Sequence, residues 1–279
     1  MSTAAEATVD YEVSTASSAP RERLATAAEA PELGMVSLIV PAMNEERNVE
    51  WVLERIPDVV DEVILVDGHS SDATVAVARA AYPGIVVVQQ EGKGKGAALR
   101  TGFATARGEY IVMIDADGSM DPGEIGRYVD RLRDGCDLVK GSRYVEGGGS
   151  SDITVLRSAG NRGLMALVNV LYGARFTDLC YGFCGFRRRG LDQLGLDADG
   201  FESETQIAVR ALRAKIEIGE VPTFELPRRH GESNLNTFRD GQRVLRTLLR
   251  ERFARTARTP ELVPDEAPAP SGAPDPAVS

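Results

Sequence analysis

Asp115 and Asp117 are the two residues whose types and spacing most directly suggest chemistry. They follow the apolar run Ile111-Val112-Met113-Ile114 and are separated only by Ala116. In an extended chain, residues two apart point to the same side. Two carboxylates at the end of such a run can share one hard cation, and a divalent ion there can neutralise a diphosphate leaving group. An Asp-x-Asp tripeptide can also simply end a strand at a turn. Its companions elsewhere in the chain decide between the two readings.

Those companions need elements to position them. Val36–Pro41, Glu62–Asp67, Ile85–Val88, Glu109–Asp115 and Asp137–Lys140 read as strands. Helical segments at about Glu45–Arg55, Asp72–Tyr82 and Ala97–Ala106 lie between the first four, and Asp121-Pro122 opens another with a capping carboxylate and a first-turn proline. Strands alternating with helices predict βαβ units and a mostly parallel sheet. Three polar segments then fall at the same strand-end edge as Asp115 and Asp117: Pro41 to Glu46, Asp67 to Asp72, and Glu91 to Gly96. Open α/β sheets bind ligands at that edge. The run Gly92-Lys-Gly-Lys-Gly96 fits neither a dinucleotide fingerprint nor a P-loop, yet its lysines suit a diphosphate.

The 279-residue chain carries a net charge of −10. Residues 1–34 hold six acids and two bases, and residues 259–279 hold four acids and no base. Most of the negative charge therefore belongs to the ends, and the middle tolerates an anionic substrate. Both ends have the composition of disordered tails, leaving residues 35–258 as a single catalytic domain. No apolar h-region or spanning segment is visible, and three cysteines without a Cys-x-x-Cys pattern read as reduced thiols. A cytoplasmic protein is expected. Nucleic acid is a poor partner, because the core is not basic.

Val36-Ser-Leu-Ile-Val-Pro-Ala-Met-Asn-Glu-Glu46, Val66-Asp-Gly-His-Ser-Ser-Asp-Ala-Thr74, Gly94-Lys-Gly-Ala-Ala-Leu-Arg-Thr-Gly102 and Asp115-Ala-Asp117 together resemble glycosyltransferase family 2. Gly141-Ser-Arg-Tyr144, Asp178-Leu-Cys-Tyr-Gly-Phe183 and His230-Gly-Glu-Ser233 bring the resemblance toward the polyprenyl (dolichyl)-phosphate mannosyl- and glucosyltransferases. It implies a GT-A-type, Rossmann-like sheet, a nucleotide-sugar donor of the GDP-mannose or UDP-glucose type, Mg²⁺ or Mn²⁺, and inversion at the anomeric carbon. It places Pro41, Asn44, Glu45, Asp67 and Lys95 at the donor, with Arg229 and Ser233 closing over it. Asp115 and Asp117 fall at the metal and diphosphate, with Ser119 as a weak third ligand. Arg143, Arg157 and Asn161 fall at an acceptor phosphate.

A phosphate acceptor needs no strong base. A small-molecule or glycan hydroxyl would, and Asp178, Glu202 and Glu204 are the candidates. A sugar-phosphate nucleotidyltransferase is a weaker alternative, since its early glycine-rich signature is missing; a non-catalytic nucleotide-sugar-binding protein is another. Residues 239–258 carry Arg239, Arg243, Arg246 and Arg250 beside Val244, Leu245, Leu248, Leu249 and Phe253. Such a helix is a candidate contact with the inner face of the cell membrane, or an ordinary helix packed on the core.

Overall fold

The computed structural model describes residues 32–231 and 237–254. Its centre is a seven-stranded sheet. In chain order the strands are β1 (Glu32–Ala42), β2 (Glu62–Asp67), β3 (Val86–Gln89), β4 (Gly108–Met113), β5 (Leu138–Ser142), β7 (Cys184–Arg187) and β8 (Ile218–Pro222). Their spatial order is β3-β2-β1-β4-β7-β5-β8, with only β7 antiparallel to its neighbours. The strands β2 to β5 fall within two residues of their predicted positions, and β1 begins four residues before the predicted Val36. The β7 and β8 strands, which complete the sheet, are not evident from the βαβ pattern.

Both faces of the central strands are apolar, as expected when helices cover both sides of a parallel sheet. Along β1, Val36, Leu38 and Val40 pack on one side with residues of α1 (Val49–Leu53), α2 (Thr74–Ala81) and α4 (Ile125–Arg133). Ile39 turns to the other side, with α3 (Lys95–Thr105), α6 (Arg188–Leu191) and α7 (Ser203–Ala214). Gly102 lets α3 approach this closely: a Cβ there would lie 2.5 Å from Ile39 Cγ2. A third cluster joins α7 to α5 (Val155–Tyr172) and α8 (Thr237–Phe253), beyond the sheet. A short parallel pair, β6 (Gly149–Ser150) with β9 (Phe224–Glu225), ties down the start of α5.

Three expectations change. Residues 32–34 belong to β1 rather than to a tail, so the domain begins at least three residues earlier than predicted. The helix expected from Glu45 shortens to Val49–Leu53; ahead of it the Glu45 N–H donates to Thr74 Oγ1 at 2.8 Å and Asn48 Nδ2 donates to Glu45 Oε2 at 2.6 Å and to the His230 carbonyl at 3.1 Å. The arginine-rich helix splits its apolar stripe: Val244 and Leu248 are buried, whereas Leu245, Leu249 and Phe253 are exposed. Residues 1–31, 232–236 and 255–279, including Ser233, the 259–279 tail and the end of the 239–258 segment, lie outside the described residues.

Candidate active site

The C-terminal ends of β1, β3 and β4 open into one cavity of about 730 Å³. Pro41, Glu45, Lys95, Asp115, Asp117 and Ser119 line it at this edge. Arg143, Arg157, Asn161 and Glu204 line it farther on, toward Leu164 of α5 and Val244 of α8. The structure thus brings most of the sequence-derived candidates onto one surface.

Its charged centre is a set of shared ion pairs. Lys95 Nζ lies 2.7 Å from Asp115 and 2.7 Å from Glu204. Arg228 lies 3.2 Å from Asp117 and also pairs with Glu45. Burial pushes the Asp115 carboxyl up, Lys95 draws it down, and the neighbouring charges of Asp117 and Glu204 add to the rise, leaving it at about 6. Lys95 is raised as well: burial would lower it, but Asp115 and Glu204 hold it well above its ordinary value. Four carboxylates therefore face two cations.

That excess negative charge fits a divalent ion, and hard carboxylate oxygens are its preferred donors. Among the described residues, no group of three or more Asp, Glu, His or Cys side chains converges as a cage. Asp115 and Asp117 would supply two protein ligands, the pattern of ions that complete their shell with substrate phosphates and water. Ser119 is tied to Asp117 itself. Its hydroxyl donates to Asp117 Oδ1 at 2.7 Å and its N–H donates to the same oxygen at 3.0 Å, orienting that carboxylate.

Other candidates are placed differently from their sequence expectation. Asn44 and Asp67 do not line the cavity. Asn44 Oδ1 accepts from the Ser71 N–H at 2.8 Å, and Asp67 accepts from Gln89 Nε2 at 2.8 Å, so they fix the loops after β1 and β2. The glycine-rich loop does not offer its helix-start N–H groups to a phosphate. Those of Gly96 and Ala97 are used by the Asp199 carbonyl, at 2.8 and 3.3 Å, while Gly92, Lys93, Gly94 and Lys95 line the cavity. Arg229 stacks on Trp51, 4.7 Å from the ring centre. Its neighbour Arg228 holds the inward place. The extended segment runs past the aspartate loop, with the Leu226 N–H on the Ser119 carbonyl and the Arg229 N–H on that of Asp117. Adjacent side chains of an extended segment diverge; the sequence contains both arginines, and only this register chooses between them.

Arg143 is gripped by Asp178 at 2.7 and 3.0 Å and by Glu225 at 3.0 Å. Asn161 Nδ2 donates to the same Asp178 at 3.0 Å. Asp178 is fully buried and committed to these partners, which removes it as a base. Glu202 accepts from the Gly200 N–H and does not line the cavity. Of the three proposed bases only Glu204 faces it, where Lys95 holds it. Arg157 is the least engaged arginine of the cavity, 3.6 Å from Asp152. Its helix start is hung on Glu225 through Ser150, whose hydroxyl donates to Glu225 Oε2 at 2.5 Å and accepts from the Ile153 N–H at 3.0 Å. Glu225 carries no motif and was visible only once the chain had folded. Cys180 also lines the cavity; burial pushes its thiol up to about 12, so it is neutral there.

Residues 37–195 match glycosyl transferase family 2. Glycosyltransferase AglJ of Haloferax volcanii is 33% identical over 77% of this chain and 71% of its own length. Polyprenol monophosphomannose synthase of Mycolicibacterium smegmatis is 31% identical over 71% of this chain and 80% of its own. Against some other curated relatives the chain spans only 53% to 59% of their length. A crystal structure of glucosyl-3-phosphoglycerate synthase from Mycobacterium tuberculosis, solved with Mn²⁺, UDP and phosphoglyceric acid, superposes with a TM-score of 0.65 at 25% identity, covering 79% of each chain.

Proposed function

We propose that this chain, which belongs to glycosyltransferase family 2, moves a hexose from a GDP-mannose- or UDP-glucose-type donor to a polyprenyl phosphate with inversion. A relative named for polyprenol phosphate supports the acceptor class. One observation carries it to this chain. Residues of α5 and α8 line the cavity, and these helices hold six of the eight large apolar side chains that the described residues expose: Val155, Leu156, Val170, Leu245, Leu249 and Phe253. The α5 helix carries Arg157 and Arg162 and no acid. An apolar, cationic wall beside the cavity suits an anionic lipid and a bilayer surface. No helix among the described residues is long and apolar enough to cross a membrane.

In the reaction the acceptor phosphate oxygen bonds to the anomeric carbon as the bond to the diphosphate breaks, and the diphosphate leaves with the electron pair. Mg²⁺ or Mn²⁺, held by Asp115 and Asp117, would supply charge neutralisation for that leaving group. Lys95 and Arg228 add fixed positive charge beside it, where preorganised cations are most effective. Arg157 holds the acceptor, because its planar fork matches phosphate oxygens. No proton needs removal, since the acceptor phosphate is already ionised. This agrees with a cavity whose carboxylates are all paired.

Incubating the full chain with Mn²⁺, GDP-mannose or UDP-glucose, and polyprenyl phosphate in phosphatidylglycerol vesicles tests this reading. Polyprenyl-phosphate hexose is the expected product, with the protein floating with the vesicles. Phosphoglyceric acid is the comparison acceptor, because a solved structural relative binds it. Transfer to that hydroxyl, with none to the lipid phosphate, overturns the acceptor reading.

A further inference from the structure

Lys95 and Arg228 are arranged alike although nothing in the sequence relates them. Each bridges one aspartate of the Asp115-Ala-Asp117 pair to a glutamate on another element. Glu204 stands in the first turn of α7, and Glu45 follows β1. Both glutamate side chains are only 10% exposed. An aspartate paired with one cation alone is a poor ligand, because a metal must expel that cation from a protected site. The second carboxylate changes this competition. Arg228 has separate nitrogens for separate partners: NH1 meets Asp117, NH2 meets Glu45, and Nε donates to the His230 carbonyl at 2.8 Å. When NH1 leaves Asp117, the other two contacts still hold the guanidinium in the cavity.

We infer that Arg228 and Lys95 are exchange cations, which yield Asp117 and Asp115 to a divalent ion and stay beside it on Glu45 and Glu204, with their freed N–H groups turned to the donor diphosphate. Glu45 and Glu204 are then positioning residues, and Glu204 has a role that needs no base chemistry. The inference rests on the proposed metal and donor. It goes beyond them by assigning what occupies each aspartate before the ion arrives and what keeps that group in place afterwards.

The test separates metal binding from turnover. Mn²⁺ is titrated into the full chain without nucleotide and followed by the electron paramagnetic resonance signal of free Mn²⁺. UDP and GDP are then titrated into the Mn²⁺-loaded protein. Removing the competing charge in Arg228→Gln should tighten Mn²⁺ about three- to tenfold, while nucleoside diphosphate binds more weakly. Glu45→Gln should weaken both, because Arg228 is left with Asp117 and loses its second anchor. In Arg228→Gln, adding Glu45→Gln should change diphosphate affinity by less than about twofold, the non-additivity expected of residues that act through one another. Lys95→Met and Glu204→Gln repeat the comparison should Arg228→Gln fail to fold. Unchanged or weaker Mn²⁺ binding in Arg228→Gln, when the unaltered protein binds Mn²⁺, overturns the exchange. Full additivity overturns the role of Glu45. No Mn²⁺ binding by the unaltered protein instead removes the metal reading beneath both.

Discussion

At the proposed donor end of the cavity, Pro41 lies in the last residues of β1, and Glu45, Lys95, Asp115 and Asp117 stand beyond the ends of three strands of one parallel block. At the acceptor end, Arg143 follows β5, Arg157 and Asn161 sit on α5, and Val244 comes from α8. The two ends also differ in how firmly their cations are committed. The donor end has more carboxylates than cations and favours a metal. At the acceptor end Arg143 is spent on Asp178 and Glu225, while Arg157 retains only a 3.6 Å contact. A site that joins a metal-bound diphosphate to a second phosphate needs this asymmetry: one end accepts a cation and the other keeps a cation for an anion.

The largest expected effect tests the donor end. Asp117→Asn keeps size and shape but removes the charge that would meet the metal. Turnover should fall by about 10³-fold, with an unchanged far-ultraviolet circular dichroism spectrum. Activity within tenfold of the original at saturating Mn²⁺ would show that the two ends do not differ in the way proposed. A smaller and more selective effect is expected opposite it. Arg157→Ala removes a charged hydrogen bond to phosphate, worth roughly ten- to a hundredfold in binding. That loss should appear in the acceptor KM and leave the donor KM within about twofold. Equal rises in both would mean that Arg157 serves the whole cavity rather than one end.

The same division governs what the sequence reveals. Parallel strands are short apolar runs, and the residues after them fall on one edge by rule; Glu62–Asp67 occurs as predicted, and Lys95, Asp115 and Asp117 meet in one cavity. The acceptor end depends on contacts between distant positions. Glu225 pairs with Arg143 across 82 residues, and at the donor end the cation Arg228 likewise reaches Asp117 across 111. No local spacing encodes such pairs. Which of Arg228 and Arg229 lines the cavity is of this kind, because it lies in the register of an extended segment against the aspartate loop. Asp178 looked like a base because a sequence displays its carboxylate but not the arginine that neutralises it.

The smallest expected effect concerns how the acceptor wall is held. The parallel strands of the donor end rest on apolar packing, whereas α8 is fastened to α7 partly through buried Glu251. Its carboxylate accepts from Gln206 at 3.0 Å, from Arg210 at 2.9 Å and from Arg213 at 3.1 Å. Burial alone would raise this carboxyl, but the Arg210 and Gln206 hydrogen bonds and the nearby arginine charges outweigh it and hold it below its ordinary value. The folded protein therefore takes up this proton less readily than the unfolded chain. The stabilisation is complete above the unfolded carboxylate value of about 4.3 and is lost as pH falls through the lower folded value. Glu251→Gln should cost on the order of 1–2 kcal/mol at pH 7, and urea midpoints of the two proteins should converge as the solution is acidified below about pH 4. A gap that stays constant between pH 7 and pH 3.5 would mean that packing of Val244 and Leu248, not the Glu251 charge, seats the helix, and that the two ends of the cavity are held by the same force after all.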